Sequence, residues 1–237
     1  MQSIKRLIKG SLRRRGYYLA VLPGFQNVAP DPLCYHGIEL LIDVGANIGQ
    51  FAQESREKGY SGKIVSFEPL PDAHAVASAK AADDPAWSVH ERCALGSQAG
   101  TALINVSGNS YSSSLLPMTA KHVAEAPGSA YVDRVETPVV TLDSVFDRYR
   151  TNTEKTFLKI DTQGFEWEVL QGALTVLPHI FGLRIELSTL PLYEGQKLYL
   201  QIMNFMDAAG FRLNGIIPVF GEESTGQLLQ FDAVYIR

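Results

Sequence analysis

The sequence predicts an α/β fold, a mostly parallel sheet covered by helices on both faces, and three observations predict it. An apolar run, Leu40-Leu41-Ile42, enters the glycine turn Asp43-Val44-Gly45-Ala46-Asn47-Ile48-Gly49, and an amphipathic segment, Ile48 to Lys58, leaves it. A second apolar run, Lys63 to Phe67, ends in a carboxylate, Glu68, followed by Pro69. Beyond these, strand-like and helix-like segments alternate to the end of the chain.

The elements follow in order. Pro23, Gly24, Pro30, Pro32 and Gly37 punctuate an entry segment, 17–39. A strand is expected at about 39–44 and a helix at 48–58, stopped by Gly59. The second strand is placed at 63–68. Pro71 and Asp72 open an alanine-rich helix to about Ala82. A third strand, 87–93, ends at Ala94-Leu95-Gly96, and 101–107 alternates weakly enough to pair as an extra strand. Residues 108–134, with Ser112, Ser113, Ser114, Pro117, Pro127 and Gly128, hold no period and read as a lid over a pocket. Strand character returns from Val135 to Val145. A fourth strand is expected at 156–161, with a helix from about Phe165 that carries Phe165, Val169, Ala173 and Leu177 on one stripe. A fifth strand is set at 180–187, a helix at 196–209, and a closing hairpin at 211–218 and 228–236. Residues 1–237 read as one domain, with 1–38 as a helical entry segment.

Bulk properties narrow the class. The 237 residues are 46% hydrophobic and 19% charged, ordinary for a globular chain. No apolar run reaches the roughly 18 residues that span a bilayer. The basic, interrupted start lacks the form of a signal peptide, so a cytoplasmic location is expected. Cys34 and Cys93 are expected as reduced thiols, and no His/Cys spacing suits zinc. Residues 1–30 carry six basic residues and no acid, which leaves 15 basic against 25 acidic residues in the remainder, a net of −10. An acidic body argues against nucleic acid as a partner. The basic leader, with Ile4, Leu7, Ile8 and Leu12, reads either as a helix covering the domain or as a peripheral contact of 1–16 with an anionic membrane.

The glycine turn and Glu68 together read as an adenosine site. A strand feeding a glycine turn that opens a helix is how α/β proteins hold a nucleotide-like ligand. Free N–H groups at such a helix start would meet an electron-rich ligand edge, and Glu68 would accept hydrogen bonds from a ribose diol. The chain has no Gly-x-x-x-x-Gly-Lys-Ser/Thr string for a triphosphate. Asn47 stands where a dinucleotide fingerprint needs its second glycine, and Asp43 would repel a diphosphate but suits a methionine ammonium. The set favours S-adenosylmethionine.

The strings Ile42 to Phe51, Phe67-Glu68-Pro69, Ala94-Leu95-Gly96, Thr141-Leu142-Asp143, Leu158-Lys159-Ile160-Asp161-Thr162-Gln163-Gly164-Phe165-Glu166 and Asp232-Ala233-Val234-Tyr235 resemble the FkbM family of methyltransferases. The resemblance implies a Rossmann-like class I methyltransferase fold, seven-stranded with its last strand antiparallel. It also implies an S-adenosylmethionine-dependent O-methyltransferase acting on hydroxyls of sugars, glycolipids or polyketides. Carried over by position, Asp43, Gly45, Ala46, Asn47, Gly49, Phe51 and Glu68 would contact cofactor, with Pro69, Ala94 and Leu95 beside them. Arg92 and Cys93 stand where family members often carry Asn.

For the chemistry, an aliphatic hydroxyl needs a base or a metal to take its proton. Asp161, at the carboxyl end of the fourth strand, is the first candidate, Glu186 the second, and Gln163 would orient base or substrate. Asp161 also reads as a cap, and Glu186 as the partner of Lys159 or Arg184. Asp161 and Glu186 together are the expected ligands if Mg²⁺ is used. Glu166 and Glu168 suit a first helical turn, and His36 and His122 lie in segments that would reach a pocket. Tyr111, Tyr131, Tyr193 and Tyr199 are candidates for stacking on a sugar. The acceptor is expected to be a small-molecule or glycan hydroxyl. A catalytically inactive cofactor-binding scaffold, a nucleic-acid methyltransferase and a dehydrogenase are the rival readings.

Overall fold

In a computed structural model, residues 31–151 and 155–237 are described. The basic leader 1–16 and most of the entry segment lie outside them. Pro32–Tyr35 form a short helix, α1. The central strand β1, Leu40–Val44, is buried along its whole length, the mark of a parallel strand covered on both faces. Helix α2, Gln50–Glu57, runs back across the sheet to β2, Lys63–Phe67. Helix α3, Pro71–Ala81, starts with proline in its first turn, where the missing N–H costs nothing. It leads to β3, Trp87–Val89.

The chain then leaves the main sheet. Ala94–Leu95 (β4), Gly100–Ser107 (β5) and Tyr131–Val140 (β6) form a separate three-stranded sheet of order β4-β6-β5. This corrects two expectations. The strand at 87–93 is only three residues long, because Ala94 and Leu95 pair with Val139 and Val140 instead. The stretch 108–134 is a shorter excursion, since Tyr131 and Asp133 already pair with Ser107 and Val106. It carries its own helix, α4, Ala120–Glu125, capped by the Thr119 side chain. A short helix, α5, Leu142–Val145, follows.

The main sheet resumes with β7, Thr156–Ile160, then α6, Glu166–Gln171, and β8, Ile180–Ser188. Helix α7, Tyr199–Ala208, leads to β9, Arg212–Gly221, and β10, Leu228–Ile236. The order is β3-β2-β1-β7-β8-β10-β9, with β10 antiparallel to both its neighbours. The expected seven-stranded, mostly parallel sheet is therefore present, and Leu33–Arg237 form one compact unit.

Alternate strand residues feed two cores. Leu40, Ile42, Leu158, Ile160 and Ile185 pack with Val169, Leu170 and Met206 from α6 and α7. Leu41, Ile64, Phe157 and Val234 pack on the opposite face with Leu33 and Ala52. Each such fully buried side chain contributes about 1.5–3 kcal/mol. Among the described residues no helix is long and apolar enough to cross a membrane. The strand order reverses between β1 and β7, and in open α/β sheets a crevice opens at that point, beyond the carboxyl ends of the strands.

Candidate functional site

A cavity of about 430 Å³ lies in that crevice, within the usual range for a small-molecule site. Of the residues expected to contact cofactor and of Asp161, Gln163 and Glu186, all line it except Asp43 and Gly49.

Gly45 makes the crevice possible. Its φ is 73°, and a Cβ there would lie 1.8 Å from the Asp161 carbonyl oxygen. Only glycine lets the turn after β1 pass the end of β7. The amides of this turn, however, face inward. Gly45 N and Ala46 N donate to Phe67 O at 3.0 and 3.1 Å. Asn47 N donates to Glu68 Oε2 at 2.7 Å, Ile48 N to Asn47 Oδ1 at 2.8 Å and Gly49 N to Ala46 O at 2.8 Å. The amides of 45–47 are thus taken by the end of β2 and those of 48 and 49 by the turn itself, and the helix start begins only at Gln50. Gly49 serves packing: a Cβ there would meet the Trp87 ring at 2.6 Å.

Glu68 is 4% exposed and holds the turn through both oxygens, with Leu70 N donating to Oε1 at 2.8 Å. Each oxygen keeps a lone pair for a further donor. Burial pushes its carboxyl up to about 7, against the bonds from Leu70 and Asn47 and the charge of Lys159. Beside it, Leu70, Ala94, Leu95, Ile104 and Leu115 form an apolar slot. Arg92, the departure from the family pattern, donates to Pro69 O at 2.9 Å and fixes the rim of this slot.

Asp43 is 0% exposed. Ser66 Oγ donates to its Oδ2 at 3.2 Å, and Lys159 Nζ stands 3.2 Å from its Oδ1. Lys159 also donates to Gly45 O at 2.7 Å and lies 3.8 Å from Asp161 Oδ2. Burial lowers the Lys159 pKa, but Asp43 and Asp161 outweigh it and hold the ammonium above its ordinary value. Asp43 does not itself line the cavity and stands behind Lys159, which does. The Phe51 ring covers Lys159 and Arg184 at 5.9 and 5.2 Å, and Arg184 pairs with Asp232 at 2.5 Å.

At the end of β7, Gln163 sits at φ 55° and joins the two candidate carboxyl groups. Its Nε2 donates to Asp161 Oδ1 at 2.8 Å and to Glu186 Oε2 at 2.9 Å. Tyr193 O–H donates to its Oε1 at 2.8 Å, and Ser114 Oγ to its backbone carbonyl at 2.7 Å. Gln230 Nε2 donates to Glu186 Oε2 at 2.7 Å. Arg184 binds Asp232, so the alternative of a Glu186 ion pair is not realised. Glu166 is buried and accepts from Thr162 N at 2.9 Å and Gly164 N at 3.0 Å, tying the loop from below. Burial pushes its carboxyl up to about 7.

Magnesium does not fit here. An amide N–H group occupies the place between Asp161 and Glu186 where a cation needs oxygen donors. Among the described residues no three or more His, Cys, Asp or Glu converge as a metal site. Neither His36 nor His122 lines the cavity; His122 is buried against Tyr193 and Phe220. Of the tyrosines, Tyr111 lines the cavity and is 59% exposed, while Tyr193 is buried. Tyr131 donates to Leu116 O at 2.7 Å, and Tyr199 packs on Phe231.

Sequence reasoning missed Lys159, Arg184 and Asp232 as wall residues, and Tyr193, Ser114 and Gln230 as supports of Gln163 and Glu186. The available signal for the first three was a charge inside an otherwise apolar strand. Five carboxyl groups (Glu54, Glu68, Asp161, Glu186, Asp232) and two cations, Lys159 and Arg184, line the cavity.

A family model described as the methyltransferase FkbM domain matches residues 43–213. A "Methyltransferase sdnD" of Sordaria araneosa is 30% identical over 155 residues, which are 56% of this chain and 59% of that protein. The match thus spans less than two thirds of that relative's length. A SAM-dependent methyltransferase from Aquifex aeolicus aligns with 96% of this chain and 97% of its own, at 12% identity and a TM-score of 0.46. A precorrin-6y C5,15-methyltransferase from Geobacter metallireducens aligns with 84% of this chain and 80% of its own, at 10% and 0.44.

Proposed function

The chain belongs to the FkbM methyltransferase family, and from that premise we propose that it is an S-adenosylmethionine-dependent O-methyltransferase acting on a hydroxyl of a sugar, glycolipid or secondary metabolite. The observation that carries the reading is the Asp161 carboxylate, open to the cavity (its side chain is 36% exposed) and held from the side by Gln163 at 2.8 Å.

The cofactor, when bound, supplies a methyl carbon already activated by a sulfonium. The work left to the chain is alignment and proton management, and alignment alone can supply roughly 7–11 kcal/mol. Glu68 accepts the ribose hydroxyls on its free lone pairs, and the apolar slot beside it takes the adenine. Asp161 accepts the proton of the acceptor hydroxyl, which does not ionise by itself near neutral pH. Gln163 keeps that carboxylate aimed.

The test is methyl transfer from labelled cofactor to glycosides, glycolipids and polyketide alcohols, with the product mapped by NMR. Asp161→Asn should lower kcat by about 10²–10⁴ while S-adenosylhomocysteine affinity holds. Transfer to nitrogen or carbon instead, or undiminished turnover in Asp161→Asn, would contradict the proposal.

A further inference from the structure

Glu186 is 5% exposed, yet its carboxyl forms part of the cavity wall. Both of its amide partners, Gln163 and Gln230, donate to the same oxygen, Oε2. Among the described residues nothing donates to Oε1, which is left on the side of the cavity that Glu186 lines. Two N–H donors on one oxygen give that oxygen carbonyl character and leave the other as the place for a proton. The charges around the group act the same way. Burial leads, and Asp161, Glu166 and Asp232 add to it, so the carboxyl stands well above the ordinary range; Lys159 opposes them. The remaining cation nearby, Arg184, is spent on Asp232.

We propose that Glu186 is a neutral acid that donates its Oε1–H to an oxygen next to the hydroxyl deprotonated by Asp161, so that the acceptor is a vicinal diol or alkoxy alcohol, as on a sugar ring. This rests on the O-methyltransferase reading and narrows it. One amide nitrogen touches both carboxyl groups, at 2.8 and 2.9 Å, so the two are held side by side on the cavity wall. One accepts a proton and the other gives a hydrogen bond, a division of labour that suits two adjacent oxygens and wastes one group on an isolated alcohol. A site built to donate to a substrate oxygen also rejects the analogue that lacks it.

Two measurements decide it. The infrared difference between the ligand-free wild type and Glu186→Gln near neutral pH should show the C=O band of a protonated carboxyl, and its absence overturns the proposal. In turnover, Glu186→Gln keeps both the acceptor oxygen and an N–H donor. Its kcat/KM should exceed that of Glu186→Met by about tenfold or more. The probes are methyl glucoside, galactoside and mannoside with their monodeoxy derivatives, beside cyclohexanol. Removing the oxygen next to the methylated position should cost about tenfold or more. A dead Glu186→Gln that still binds S-adenosylhomocysteine, or cyclohexanol methylated as well as the glycosides, overturns this inference and leaves O-methylation standing. No transfer to any hydroxyl removes the parent reading, and the infrared band still reports on Glu186 itself.

Discussion

The Lys159 ammonium stands 3.2 Å from the carboxylate of Asp43, which is wholly buried beneath the turn that follows β1. The same ammonium donates to Gly45 O at 2.7 Å. One cation therefore neutralises the strand that carries the glycine turn and pins the turn itself.

Removing that cation should be costly out of proportion to its surface. Lys159→Met leaves Asp43 buried without its ionic partner, and about 3–5 kcal/mol of stability should be lost. The double variant Lys159→Met/Asp43→Leu removes both charges and should recover most of it. Urea unfolding of the four proteins checks the cycle; a loss below about 1 kcal/mol in the single variant would mean the pair is dispensable.

Gly45→Ala should be worse than an ordinary turn substitution. Its Cβ would press on backbone, the Asp161 carbonyl at 1.8 Å, and its φ of 73° is unfavourable for any side chain. The two strands must part at the point where the cavity begins. We expect a stability loss of more than about 2 kcal/mol and loss of S-adenosylhomocysteine binding in calorimetry. A variant that binds normally would show that the approach of β1 to β7 is not needed.

Cofactor affinity should rise with pH. In the free protein the Glu68 carboxyl titrates at about 7, and ribose hydroxyls donate more strongly to its ionised form. The bound state holds fewer protons than the free state, so raising the pH favours binding. S-adenosylhomocysteine should bind about tenfold tighter near pH 8 than near pH 6. Glu68→Gln should bind more weakly and lose this slope. An unchanged slope in the variant would assign the proton to another group.

Much of this arrangement was legible because it is local. The apolar runs at 40–44, 63–67 and 156–160 sit where the pattern put them, and Glu68, Asp161 and Glu186 fall at strand ends as their positions required. What escaped is what depends on pairing between distant segments. The inward use of the 45–47 amides follows from Phe67 O and Glu68 lying alongside, a fact of register. Lys159 and Arg184 suggested only ion pairs with Glu186, and Asp232 no role of its own, until neighbouring strands placed the three on one face. The small second sheet joins Gly100–Ser107 to Tyr131–Val140 across an irregular excursion, and no periodicity within either strand announces that partner.

The Ser114 hydroxyl, which donates to the Gln163 backbone carbonyl, belongs to the excursion between β5 and β6. Excursions of this kind usually drift freely in evolution because they touch nothing rigid. Here a change in the excursion is felt by the amide that joins Asp161 to Glu186, so the two cannot be engineered as independent modules. A chimera that imports another relative's excursion without a hydroxyl at this position would lose the clamp on Gln163 along with the borrowed surface.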